Sequence, residues 1–124
     1  MLFRSRGVWS RARTDVTILG GITPVAEAMA LAAAQGVQCE LMSWGYTLAS
    51  AANLHAMLGF SSCSYYEQPL PYETFEYGMK QVVRTGPDGQ VRAPGAPGLG
   101  LEVDWPAMRA ASVHELACGR HSLG

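Results

Sequence analysis

The chain has 124 residues and a formal net charge of −1, with 48% of residues apolar and 15% charged. That length suits one ordinary domain, and the near-neutral balance leaves no basic field to recruit nucleic acid or an anionic membrane. The longest apolar stretch of the first predicted helix, Ala28–Ala34, falls far short of the roughly 20 residues that cross a bilayer.

Met1 to Arg13 carries arginines at 4, 6, 11 and 13 and no acidic residue. It lacks the apolar core of a secretory signal and reads as an irregular lead-in, or the end of a helix from Val8. Asp15 to Leu19 is a short run rich in β-branched residues, predicted as the first strand, with Asp15 at its start. Two glycines follow, then Thr23-Pro24. Thr is a good N-cap and Pro fits the first helical turn, where its missing N–H is not needed. A helix is predicted over Pro24–Gln35, with Val25, Ala28, Met29 and Ala32 on one apolar stripe and Gly36 as its terminator. Val37–Met42 is the second strand, with Glu40 as its one charge. Ser43-Trp44-Gly45-Tyr46 is a loop. Thr47 or Ser50 opens a second helix running to about Leu58, whose apolar side is Leu48, Ala51, Ala52, Leu54, His55 and Leu58; Gly59 stops it. Ser64–Glu67 is the third strand, ended by Pro69 and Pro71.

The order strand, helix, strand, helix, strand has the spacing of βαβ units in a parallel sheet. It is too short to close a barrel of eight such strands. In such sheets chemistry sits where strand ends meet the following loops, which places Asp15, Gly20, Gly21, Met42, Ser43 and Trp44 near an active face. After Pro71 the pattern changes. A hairpin is predicted over 81–92 around the turn Gly86-Pro-Asp-Gly89. A rigid Pro94–Gly98 loop, an extended run Leu99–Val103 and a short helix from Trp105 to Ala111 follow, and 116–124 is expected to fray. The expected organisation is therefore a lead-in (1–13), a unit of βα repeats (14–71) and a C-terminal extension (72–124). Cys39, Cys63 and Cys118 are odd in number and lack any CxxC or Cys/His spacing, so reduced thiols in a cytoplasmic protein are expected.

Asp15-x-x-x-x-Gly-Gly-Ile-Thr23, Ser-Trp-Gly at 43–45, Asn-Leu-His at 53–55, Tyr65-x-Glu67 and Ala93-Pro-Gly-Ala-Pro-Gly-Leu-Gly-Leu101 together resemble the enolase superfamily, in its mandelate racemase/muconate lactonizing branch. The resemblance covers roughly residues 12 to 105, and would be the last third or so of a family member. It implies a partial (β/α) TIM-barrel segment of about three parallel strands and two helices, followed by the hairpin and loop extension. It also implies Mg²⁺-dependent proton abstraction next to a carboxylate, of dehydratase, isomerase or racemase type, on a small carboxylic or sugar acid. Asp15 and Glu67 are the catalytic candidates that it implies, with Met42, Ser43 and Trp44 expected at the substrate; read from the residues alone, Asp15 equally suits a loop cap, Glu67 a solvent-facing strand end, and Trp44 packing against the next helix. In racemase-like members an Asp at the position of Asp15 pairs with a His at the end of the next strand. The matching residue here is Met42, which cannot abstract a proton, so the sequence departs from that dyad.

The family's metal ligands and lysine pair come from earlier strands. This chain has a single lysine, Lys80, and no acidic triad spaced one per strand. The expectation is a segment that binds no Mg²⁺ and turns over no substrate by itself. The alternatives are a self-associating or partner-binding module that uses open sheet edges, and a small anion-binding protein using Gly20–Thr23. His55 reads as a packing histidine within its helix.

Overall fold

The computed structural model describes residues 10–42 and 45–114. The lead-in up to residue 9, Ser43, Trp44 and the tail from 115, with Cys118 and His121, lie outside the described residues. The fold is α/β. Strand β1 (Arg11–Thr14) pairs in parallel with β2 (Gln38–Leu41), Arg11 opposite Gln38 and Thr14 opposite Leu41. Between them run a one-turn helix α1 (Val16–Leu19) and the long helix α2 (Ile22–Ala34). Helix α3 (Thr47–Leu58), the short α4 (Tyr72–Phe75) and α5 (Trp105–Ala110) follow.

The first strand is not Asp15–Leu19. Those residues form α1 because Asp15 caps it, accepting from the Thr17 and Ile18 amides, and Gly20 closes it in the left-handed conformation at φ 85°. A β-branched run is a weak preference; a cap at one end and a left-handed glycine at the other outweigh it. The strand lies instead in the basic lead-in, where four residues have β2 to pair with. Gly21, at φ 139° and ψ 179°, is the N-cap of α2, so Thr23 is not the cap, although Pro24 does lie in the first turn. Both glycines sit where a side chain is poorly tolerated, which accounts for the pair as a turn.

The third strand is reduced to one parallel pairing between Leu41 and Tyr66, on the side of β2 away from β1. The cause lies in Glu40, whose carboxylate draws the consecutive amides of Ser64 (3.0 Å) and Tyr65 (3.1 Å) to itself, whereas an extended strand would point them to opposite sides and give one of them to β2. The hairpin over 81–92 is likewise absent as a ladder. Its turn is present, with the Gly86 amide donating to the Gln90 carbonyl at 2.8 Å. The Gln68 side chain, however, takes the Val83 carbonyl and the Thr85 amide. Instead Met79 pairs antiparallel with Val103.

The core forms where the helices meet the sheet. Val16, Val25, Met29, Cys39, Leu41, Ala52 and Ala56 make one buried cluster, with Val25 and Met29 fully buried. Ala51, Leu54 and Val83 make a second, against which Leu99 and Leu101 of the Pro/Gly loop pack. Leu48 and Leu58, expected on the buried side of α3, are exposed; Thr47, Ser50 and Asn53 are buried there with the alanines and Leu54.

Candidate functional site at the strand ends

Thr14, Leu41 and Tyr66 are paired across the sheet in one row. The residues that follow them, Asp15, Met42 and Glu67, therefore stand side by side at the C-terminal edge of the sheet. Their neighbours Ser43 and Trp44 are outside the described residues.

Asp15 is buried, at 2% exposure, and its oxygens are engaged. One accepts from the Thr17 amide (2.6 Å), the Thr17 hydroxyl and the Ile18 amide. The other accepts from Asn53 Nδ2 at 2.8 Å. Burial alone would raise this carboxyl, but the bonds from Thr17, Asn53 and Ile18 outweigh it and hold the pKa below the usual range. A buried carboxylate so occupied orients its surroundings and offers little to a substrate.

Asn53 is the hub of this arrangement. It is fully buried on α3. Its carbonyl accepts from the Val16 amide at 3.0 Å, and its amide donates both to Asp15 and to the Met42 carbonyl at 2.7 Å. One side chain thus ties the ends of β1 and β2 to α3. In the sequence Asn53 stands within Asn-Leu-His with no local pattern that marks its role. The signal that could have found it is an amide side chain set among Ala51, Ala52, Leu54 and Ala56, since a polar group buried there needs partners.

Met42 is half-buried and continues the pairing, its amide donating to the Thr14 carbonyl at 2.9 Å. Its thioether transfers no proton. Glu67 is partly exposed and ion-paired with Arg13. On the same sheet face, Arg11 donates to Glu40 at 2.7 Å and stacks over the Tyr65 ring, 5.5 Å from its centre. Glu40 is buried at 6% exposure; burial opposes its charge, but the Ser64 and Tyr65 amides and the Cys63 and Ser64 side chains lower its pKa. The neighbouring Cys63 thiol is pushed up to about 11, chiefly by burial, with the Glu40 carboxylate adding to it. Arginines at 11 and 13 share a face by the two-residue period of a strand. That pairing was hidden while these residues read as lead-in.

His55 is partly buried, its Nε2 3.3 Å from the Leu99 carbonyl, to which it donates. Among the described residues, no three of His, Cys, Asp and Glu are grouped to hold a metal ion. No helix among them is long and apolar enough to cross a membrane.

A family model described as enolase C-terminal domain-like matches residues 4–107. Among solved structures, a protein assigned as a mandelate racemase/muconate lactonizing enzyme from Pseudovibrio sp. matches with a TM-score of 0.84 and 45% identity, over 89% of this chain and 29% of that one. D-glucarate dehydratase from Agrobacterium tumefaciens, complexed with magnesium, matches with a TM-score of 0.72 and 30% identity, over 88% of this chain and 29% of that one. A protein assigned as a mandelate racemase from Rhodobacter sphaeroides matches with a TM-score of 0.72 and 27% identity, over 94% and 30%. The chain thus spans less than a third of the length of each. None of the curated proteins matches it.

Proposed function

This chain belongs to the enolase C-terminal domain-like family, and on that premise we propose that it forms the last barrel segment of an enzyme acting on a small carboxylic or sugar acid. The resemblance read from the motifs between Asp15 and Leu101 is thereby borne out. The reaction proposed is proton abstraction next to a carboxylate, of the dehydratase, isomerase or racemase kind, in the cytoplasm. In this reading residues 14–71 carry the βα units, joined by β1 from the end of the lead-in, and 72–124 form the C-terminal extension, of which Val83, Val91, Leu99 and Leu101 pack in one cluster with Ala51 and Leu54 of α3. The observation that carries it is the row Asp15, Met42, Glu67 at the C-terminal edge of parallel strands, where parallel α/β sheets hold their ligands.

The described residues do not fit the magnesium that the family implies. They hold no three-ligand group, and the buried carboxylates Asp15 and Glu40 are filled by hydrogen bonds. The work proposed for this chain is therefore that of its own groups. Asn53 and Asp15 lock the strand ends, Met42, which Ser43 and Trp44 follow in sequence, gives an apolar wall, and Glu67 faces the substrate as a hydrogen-bonding carboxylate. The chain alone is not expected to turn over substrate.

The test has two arms. The purified chain, with D-glucarate and Mg²⁺ in deuterium oxide, is followed by proton NMR for exchange at the carbons next to the carboxylates. No exchange is expected, and exchange by the chain alone would overturn the inactive-alone reading. Mixed with the portion of the Pseudovibrio protein that it does not cover, the chain is expected to give a one-to-one complex. Failure to associate would count against the barrel-segment reading.

A second reading, a self-associating module, is favoured by one observation. β1 pairs only with β2 among the described residues, and Ile18 (67% exposed), Leu19 and Ile22 stand exposed on the helices that follow it. Open edges beside apolar surface invite pairing. Light scattering across a hundredfold range of concentration decides it: a rising mass supports this reading and a constant monomer mass removes it.

A further inference from the structure

We infer that Arg13 is a substrate-binding residue, which takes the carboxylate of a hydroxy acid while Glu67 accepts that acid's hydroxyl. The inference rests on the acid-acting reading above and adds to it a residue that the motifs do not contain. Of the carboxylates at the strand-end row, Asp15 is buried and filled from both oxygens. Glu67 is partly exposed, with one oxygen on Arg13. The Arg13 side chain is half exposed, at 50%, and its guanidinium gives one of its N–H groups to Glu67. A guanidinium has five such donors in a rigid fork that matches a carboxylate, so an anion can be taken while the Glu67 contact holds.

The other charges on this face are committed elsewhere. Arg11, two residues back along β1, holds buried Glu40 and lies over Tyr65. Glu40 is filled by Arg11, Ser64 and Tyr65. A cation and an anion adjacent at the strand ends, each with capacity left, fit a ligand carrying a carboxylate beside a hydroxyl. The carboxylate meets the fork, and the hydroxyl donates to Glu67. A carboxylate without the hydroxyl would meet Glu67 only as a like charge, which disfavours it.

D-glucarate and adipate test this, since they share a six-carbon dicarboxylate chain and differ in the hydroxyls. Each is titrated into the isotope-labelled chain and followed through amide shifts of residues 13–15, 42 and 67. The wild type is expected to bind glucarate more tightly than adipate. Arg13→Gln is expected to weaken glucarate about tenfold or more, the scale of one charge-assisted contact, and Glu67→Gln to abolish the preference over adipate. Arg92→Gln, at an exposed turn, serves as the control and is expected to change nothing. A wild-type response that Arg13→Gln leaves intact overturns the assignment and leaves the acid-acting reading standing. A wild type that responds to neither acid overturns both. If Arg13→Gln loses its dispersed amide spectrum, Arg13→Lys takes its place: it keeps the charge without the fork, and undiminished affinity in it overturns the role of the fork.

Discussion

At the scale of single residues, the strand-end edge is held by buried polar groups whose partners are all within the chain. Asn53→Ala removes the donor to Asp15 and to the Met42 carbonyl and the acceptor of the Val16 amide. Buried groups left unmatched cost about 1–3 kcal/mol each in the absence of water, so a loss of about 2–3 kcal/mol is expected in urea unfolding. A loss within 0.5 kcal/mol, the size of a typical surface substitution, would mean that water replaces Asn53 freely. Asp15 and Glu40 set the acid limb of stability. Both have pKa values in the folded chain below the ordinary carboxylate range. The stability they lend is complete above the unfolded values, at roughly pH 5 and higher, and is lost as pH falls through about 4 and below. The double variant Asp15→Asn/Glu40→Gln is expected to flatten that limb. The urea midpoint measured at about pH 6 and about pH 3 should fall less in the variant than in the wild type; equal falls would mean that other carboxylates govern acid unfolding.

At the scale of elements, side chains decide which stretches become ladders. Glu40 and Gln68 each capture backbone groups of a neighbouring extended segment, so Ser64–Glu67 and the flanks of the 86–89 turn stay extended without forming strands. Helix α2 shows the opposite case, where pattern and packing agree. Its stripe puts Val25 and Met29 fully inside, with Ala28 and Ala32 partly buried beside them. Alanines let the helix approach the sheet closely, so Met29 has little room around it. Met29→Ala is expected to cost about 2–5 kcal/mol through lost transfer energy and a residual cavity, measured as a shift of the urea midpoint at unchanged slope. A changed slope would show instead that α2 had detached.

At the scale of the whole molecule, two core clusters meet on α3. Met57 and Leu99 pack against both. Helix α3 thus shares a core with both the sheet and the extension, and Leu54, at 1% exposure, belongs with Ala51 and Val83 to the cluster against which Leu99 and Leu101 pack. Leu54→Ala is expected to lower amide-exchange protection in the extension and in β2 together, by about 2–5 kcal/mol. A loss confined to residues 79–103 would mean that the extension opens independently of the sheet.

The sequence by itself determined the family, the α/β class, helices α2, α3 and α5 to within two residues, and the placement of Met42 and Glu67 at the ends of their extended runs. Those features follow from local signals: apolar period, helix-stopping glycines, and motifs whose spacing the parallel sheet imposes. Only the tertiary structure decided that the first strand is Arg11–Thr14, that Asp15–Leu19 is a capped turn of helix, and that the third strand and the hairpin do not form as ladders. It alone showed Asn53 as the clamp and Arg13 as the partner of Glu67. The reason is physical. A strand exists only where another segment takes its hydrogen bonds, and a buried carboxylate or amide settles on whichever backbone groups the fold brings to it. Residues 14 and 41, or 53 and 15, are distant along the chain, and no local pattern records that they meet.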